Sequence, residues 1–449
     1  MVDGAADERE TYPRPEEMAS LPIPDELSAE VFLRIPNPAD LLRASAACVS
    51  FRRLIADRSF LRRYRKLHAP PLLGFLDHER KVFYPAAPPH PSAPAASAAA
   101  LAADFSFSFL PAPATDWRVQ DVRSGRVLLD RAPQHDIDNR QRLVFPELVV
   151  CDPLYRRYLL LPPIPAHLAA TVKRPIWIKL HRYCETFLAP PSDIDEEASA
   201  AEETSFSVVW MAQCNAKLMA FVFSSSTGQW RAVTISSLSW SDLLPGLVSL
   251  TGWALFSGRQ YAYGLFYWVT DWREKFLVLD SRRMKFSIAE PPPEIRSLHG
   301  VDIAILEAGE GRSRMFVRTE GTKYLNYTTG RNNCGSSIQW LLERTISLDS
   351  GYVLIGSTGR HLFLYQRQSS SLDRAFFSLD ARTFQLERVF ASNSCIPNVH
   401  AYSSFPPSLL LIPTVSSDMS SILEASWNFR KHYTAKYFFF RGTVEGIQV

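Results

Sequence analysis

The hydrophobic period of this chain changes once, near Leu72, from the 3.6 of helices to the 2 of strands. That switch allows only a short helical segment followed by a much longer β region. The helical segment opens at Leu21-Pro22-Ile23-Pro24-Asp25-Glu26, where proline in a first turn costs no hydrogen bond and two acids suit the positive helix end. Leu27, Val31 and Ile35 recur every four residues with Phe32 beside them, and Pro36 stops the helix. Asn37-Pro38-Ala39-Asp40 restarts one. Leu41, Leu42, Val49, Phe51, Leu54 and Ile55 then fill a helical hairpin or bent helix, and Asp57 to Leu67 reads as one more short helix. Residues 21–68 are therefore expected as an all-α unit of about three helices, after a disordered lead-in over 1–20. Half a dozen buried apolar residues supply about 10–18 kcal/mol gross. Ordering nearly fifty residues costs more than that, so these helices need another surface to bury against.

From residue 69 to 449 the chain reads as all-β. Phe105-Ser106-Phe107-Ser108-Phe109 alternates as a strand does. Pro85 to Ala103, with 10 Ala and 5 Pro, is expected as a mobile loop, proline-rich at its start. Pro190 to Thr204 carries Asp193, Asp195, Glu196, Glu197, Glu202 and Glu203 without a base and is expected as a solvated acidic loop. Elsewhere one unit repeats imperfectly: apolar strand, polar turn, apolar strand. Cys151-Asp152, Phe223-Ser224, Leu279-Asp280 and Leu379-Asp380 each end a strand at a residue whose side chain can bond its own turn. Asp280 and Asp380 lie 100 residues apart, two periods of about 50, the blade length of kelch-type propellers. The expected architecture is a kelch-like β-propeller of about six blades. The alternative is a two-sheet β-sandwich, because the 128 residues from Asp152 to Asp280 fit no single period.

Composition removes several function classes. Lys plus Arg is 49 against Asp plus Glu 46, a net charge of +3, so nothing calls for nucleic acid as the main partner. One basic stretch, Arg52, Arg53, Arg58, Arg62, Arg63, Arg65 and Lys66, reads as a solvated face or a rim contact to an acidic partner. No apolar run approaches the ~20 residues that span a bilayer, and the acidic start is not a secretory signal. Six scattered cysteines with no C-x-x-C pair suit neither a zinc site nor a disulfide framework. They fit a reducing compartment, cytosol or nucleus. No metalloprotease, nucleotide-loop, serine-hydrolase or EF-hand motif occurs, so neither cofactor, metal nor catalytic residue is expected. Gly309-Glu310-Gly311 reads as a turn. Trp253, Tyr261, Tyr263 and Trp272 are equally loop contacts for a target or blade core.

The helical segment resembles an F-box. The matching residues are Leu21-Pro22, Asp25-Glu26-Leu27, Val31-Phe32-Leu33, Ile35-Pro36, Asp40-Leu41-Leu42-Arg43-Ala44 and Ala47-Cys48-Val49-Ser50-Phe51-Arg52-Arg53-Leu54-Ile55. Phe51 stands where many members have tryptophan, and Ser50 where many have a base. More loosely, Leu72 to Leu76 and Asp152 to Tyr158 resemble the propeller-like associated domains of plant F-box proteins. The resemblance implies a non-catalytic substrate receptor of an SCF-type cullin–RING ubiquitin ligase. Its helices would bind a Skp-family adaptor, and its β domain would hold a protein target. The adaptor-facing or adaptor-supporting set it implies is Leu21, Pro22, Leu27, Val31, Phe32, Ile35, Pro36, Leu41, Leu42, Val49 and Phe51. The rivals are an adaptor-binding scaffold without ligase output and a ligand-binding or enzymatic propeller, the latter requiring polar groups that converge at one mouth.

Overall fold

The computed structural model describes residues 24–78, 80–131, 145–173, 177–178, 181–182, 184–190, 205–214, 217–233, 256–270, 275–292, 295, 301–308, 312–319, 322–331, 339–348, 351–359, 361–367, 374–392, 399–405, 409 and 415. Leu21, Pro22, the acidic stretch 191–204, Trp253, Trp272, Gly309 to Gly311, Cys334 and Cys395 lie outside them. The chain divides into two compact units at Ala69/Pro70.

The first unit holds four helices rather than three: α1 (Asp25–Leu33), α2 (Pro38–Ala47), α3 (Val49–Ile55) and α4 (Arg58–Leu67). The expected bent helix is cut in two because Cys48 is extended, at φ −155° and ψ 166°. Its thiol then accepts the N–H of Phe51 at the start of α3. Asn37 caps α2 by accepting the N–H of Ala39 at 3.0 Å, and Asp57 caps α4 by accepting those of Ser59 (2.8 Å) and Phe60 (3.1 Å). The core is Phe32, Leu33, Leu41, Ile55, Phe60, Leu61 and Tyr64. Phe32 meets Phe51 edge to face, with ring centroids 4.9 Å apart. Tyr64 donates its hydroxyl to the carbonyl of Ile35 at 3.1 Å, tying α4 to the end of the first helix.

The second unit is a six-bladed β-propeller. Blade 1 is β3 (Trp117–Arg123), β4 (Arg126–Arg131), β5 (Glu147–Asp152) and β6 (Arg157–Leu160). After a short helix α6 (Ala166–Ala169) and the two-stranded ribbon β7 (Trp177–Ile178) and β8 (His181–Arg182), blade 2 is β9 (Cys184–Ala189), β10 (Ser207–Gln213), β11 (Leu218–Ser224) and β12 (Gln229–Ala232). Blade 3 is β13 (Phe256–Ala262), β14 (Leu265–Thr270), β15 (Phe276–Asp280) and β16 (Lys285–Ala289). Blade 4 is β17 (Val301–Glu307), β18 (Arg312–Thr319), β19 (Tyr324–Arg331) and β20 (Gln339–Ser347). Blade 5 is β21 (Tyr352–Thr358), β22 (His361–Arg367), β23 (Arg374–Asp380) and β24 (Leu386–Ser392). Blade 6 closes the ring from both ends of the unit: β25 (Val399–Ser403) pairs with β1 (Leu72–Asp77), which pairs with β2 (Phe83–Pro85). Gly74 makes that closure possible, since a Cβ there would lie 2.2 Å from the carbonyl oxygen of Tyr84.

Five apolar clusters sit between successive blades and bury the apolar faces of the described strands against one another. The sandwich alternative is excluded. The repeat unit has a definite chemistry. Asp152, Asp280 and Asp380 each end the third strand of a blade and accept two backbone N–H groups of the following turn, at 2.7–3.2 Å. Four residues after each aspartate the backbone turns left-handed, at Arg156, Met284 and Phe384. Gly228 does the same after Ser224. The 128-residue gap is two blades lengthened by α6, the β7–β8 ribbon and the stretch between β9 and β10.

Two local expectations fail. The alanine-rich stretch is not a loop throughout: α5 spans Ala93–Ala102, with Ala96 fully buried. All five prolines fall before or within its first turn, where they block nothing, and alanine then propagates the helix. Phe105 to Phe109 is not a strand but a chain of turns. Asp104 accepts from the Ser106 backbone and from the hydroxyls of Ser106 and Ser108, and Phe107 is left-handed at φ 58°. Phe105 and Phe107 are nonetheless buried, so the alternation was a burial pattern without a ladder.

Candidate functional site

The helical unit exposes apolar surface. Leu27 and Val31, one turn apart on α1, are 59% and 60% exposed, and Val49 at the start of α3 is 70% exposed. Pro36 is exposed as well. The remaining described members of the implied set point inward or lie between: Phe32 and Leu41 are buried, and Ile35, Leu42 and Phe51 are half-buried. The i, i+4 apolar stripe on α1 therefore divides, with Phe32 and Leu33 holding the bundle and Leu27 and Val31 facing out. A groove of about 640 Å³ runs between α1, α3 and α4, with Leu27, Leu54 and Phe60 in its lining. Glu30 on α1 and Arg63 on α4, which also line it, pair with each other.

The propeller holds a second polar assembly, on the first strands of its blades. Asp121 sits at a β-bulge of β3, and Arg259 at a bulge of β13. Bulges re-aim side chains out of the pleat. Arg259 reaches Asp121 at 3.2 Å and Glu185 of β9 at 2.6 Å, so one guanidinium joins three blades. Glu185 is held in turn by the indole N–H of Trp268 at 2.8 Å. Asp121 also accepts the backbone N–H of Leu188 at 2.8 Å, and Arg123 donates to the carbonyl of the same residue at 3.0 Å. Arg123 lies over the Tyr261 ring, 4.1 Å from its centroid. Glu307 of β17 accepts the N–H of Tyr263 at 3.0 Å, and Ser357 of β21 donates to the side chain of Gln260 at 2.8 Å. His400 of the closing strand faces this cluster, its ring 5.8 Å from that of His78.

The electrostatics follow from burial against pairing. Burial alone would raise the Asp121 carboxyl, but the charges of Arg259 and Arg123 outweigh it and hold its pKa below the ordinary value. Burial would lower Arg259, but Asp121 and Glu185 outweigh it and raise it. Burial pushes His400 down to about 4, against the pull of Asp121, with His78 and Arg259 adding to the fall. The cluster is thus a set of paired charges beside a neutral imidazole. It has the geometry of a brace across the blades, not of a nucleophile with its base.

Other chemistry is thin among the described residues. No group of three or more His, Cys, Asp or Glu side chains converges as metal ligands would. Burial pushes the thiols of Cys151 and Cys214 up, away from nucleophilic character. No described helix is long and apolar enough to cross a membrane. Tyr261 and Tyr263, read from sequence as loop or core, belong to the end of β13 and its turn. The Asp121–Arg259–Glu185 cluster itself escaped sequence reading. Asp121 and Arg123 do alternate along β3, which marks one face of a strand, but nothing links them to Arg259, 138 residues on.

No family model matches this chain, and neither does any curated protein. Among solved structures, YCF48 from Cyanidioschyzon merolae is 11% identical, with a TM-score of 0.32 over 61% of this chain and 80% of that one. The nidogen/laminin complex is 10% identical, with a TM-score of 0.31 over 67% and 88%. A protein of unknown function from Dyadobacter fermentans is 10% identical, with a TM-score of 0.35 over 62% and 82%.

Proposed function

We propose that this chain is a non-catalytic substrate receptor of an SCF-type ubiquitin ligase, working in cytosol or nucleus. The helices dock to a Skp-family adaptor, and the propeller, kelch-like in blade length, holds a protein target. Proximity then raises the effective concentration of target at the ligase. The observation that carries the reading is the pair Leu27 and Val31, large apolar side chains about 60% exposed within the segment that resembles an F-box. Solvent-facing leucine and valine spaced i, i+4 are the anchors a helix presents to a groove or helix of another protein.

The test is co-purification of a Skp-family adaptor with the full chain and with Leu27→Asp and Val31→Asp. These positions are exposed, so the variants keep their fold, whereas Phe32→Asp would confuse binding with unfolding. Adaptor is expected with the parent and lost from both variants. Equal recovery from all three sinks the reading. Cullin recovered together with the adaptor separates a ligase receptor from an adaptor-binding scaffold.

A further inference from the structure

Arg123 and Arg259 approach the same ring, that of Phe266, at 5.3 and 5.8 Å from its centroid, yet their charges are answered differently. Arg259 holds two carboxylates, those of Asp121 and Glu185. Arg123 uses only its Nε, on the carbonyl of Leu188 at 3.0 Å, and no carboxylate among the described residues pairs with its terminal nitrogens. The side chain is half-buried, and those nitrogens stay open to solvent. The guanidinium is nonetheless held in place, 4.1 Å from the centroid of the Tyr261 ring. Burial lowers its pKa, and the pulls of Asp121, Tyr261 and Glu307 do not offset this, with Arg259 adding to the fall. Arg123 is the last residue of β3, Glu307 the last of β17 and Tyr261 the last but one of β13, so all three stand where a first strand turns into the second of its blade. Glu307 donates its N–H at 3.0 Å to the carbonyl of Gly359, in the turn after β21. The space there is open: a Cβ on Gly359 would meet no atom within 4 Å among the described residues.

We propose that this end of the propeller binds a peptide carboxylate, an Asp or Glu side chain, in the two-nitrogen fork of Arg123, with the Tyr261 ring as its floor. A guanidinium stacked on a ring is pre-organised to donate two parallel hydrogen bonds to a planar carboxylate. Glu307 argues against a phosphate. It already has the Tyr263 N–H on one oxygen, and it would repel a dianion more than a single carboxylate flanked by the N–H groups of its own peptide. This rests on the receptor reading in taking the bearer of the carboxylate to be a protein target.

The experiment selects binders from a random dodecapeptide display library on the full chain. The enriched peptides are expected to share an Asp or Glu at one position. Replacing that acid by its amide in the tightest peptide is expected to weaken binding by about thirtyfold or more, as loss of a half-buried, hydrogen-bonded charge pair does. Arg123→Gln is expected to bind the acid and amide peptides alike. Structural damage would weaken both and leave their ratio unchanged. Should Arg123→Gln fail to fold in a thermal melt, Arg123→Lys, which keeps the charge but not the fork, is expected to shrink the ratio several-fold. Inorganic phosphate is expected not to displace the peptide beyond its ionic-strength effect, matched with chloride. Enrichment without a fixed acid, absence of binders, a ratio that survives in the folded Arg123 variant, or displacement by phosphate overturns the proposal. Adaptor that co-purifies while no acidic consensus emerges removes this site and leaves the receptor reading standing. An acidic consensus that depends on Arg123, without adaptor recovery, does the reverse.

Discussion

Arg259 and Asp121 are 138 residues apart, on blades 3 and 1, and their side chains meet at 3.2 Å with Glu185 of blade 2 on the same guanidinium. The pair is mostly buried, at 16% and 10% exposure. Removing the cation leaves two acids facing each other in a low-dielectric site. Arg259→Met is therefore expected to destabilise the propeller by about 3–5 kcal/mol. Denaturant unfolding of the full chain reads this. A loss below about 1 kcal/mol would show that the brace carries little of the ring's stability.

The imidazole of His400 gives the propeller an acid-sensitive term. Its pKa falls from 6.5 to about 4 on folding, chiefly through burial. The unfolded chain therefore binds the proton first, and stability present above pH 6.5 declines as pH falls toward 4. Asp121, also lowered, acts in the same direction. The shift corresponds to at most about 3 kcal/mol. Thermal unfolding at pH 7, 5.5 and 4.5 should show a steeper fall for the parent than for His400→Asn. Parallel curves would mean that His400 titrates as it does in the unfolded chain.

The strand-ending aspartates should act independently. Asp280→Ala and Asp380→Ala each leave two turn N–H groups without their acceptor and are expected to cost about 1 kcal/mol. The double variant should cost the sum, because the turns lie on different blades. Arg156→Gly, at an exposed left-handed position, should be neutral or stabilising by up to about 1 kcal/mol. Any marked loss there would indicate a contact made by the arginine side chain.

Closure of the ring depends on Gly74. A methyl group 2.2 Å from the Tyr84 oxygen cannot be accommodated by moving a side chain, because the atom it meets is backbone. Gly74→Ala is expected to cost more than 2 kcal/mol and to speed hydrogen exchange in β1, β2 and β25 before the other blades. Exchange that rises uniformly around the ring would argue that closure is not the weak point.

On the helical unit, two leucines of the same segment should behave oppositely. Leu41→Ala, at a site with no exposure, is expected to cost about 2–5 kcal/mol. Leu27→Asp, at 59% exposure, should stay within about 0.5 kcal/mol of the parent. Circular-dichroism melts of the full chain distinguish them. A large loss in Leu27→Asp would mean that its side chain is holding the fold.

The sequence by itself determined whatever depends on neighbours along the chain. Asn37 and Asp57 cap helices because their carboxyl or amide oxygens reach N–H groups two or three residues on. Asp152, Asp280 and Asp380 mark turns for the same reason, and their spacing exposes the blade repeat. Tertiary structure decided the rest. Phe105 to Phe109 alternates like a strand yet has no partner ladder, and the alanines after Pro94 form a helix because a surface was there to bury Ala96. Which face of α1 turns outward was not legible either, since Leu27 and Phe32 are equally apolar and only packing against Phe51 and α4 separates them. Above all, the meeting of Arg259, Asp121 and Glu185 is a product of how blades 1, 2 and 3 pack against one another. Charges that are silent along a chain acquire meaning only when the fold removes water from between them.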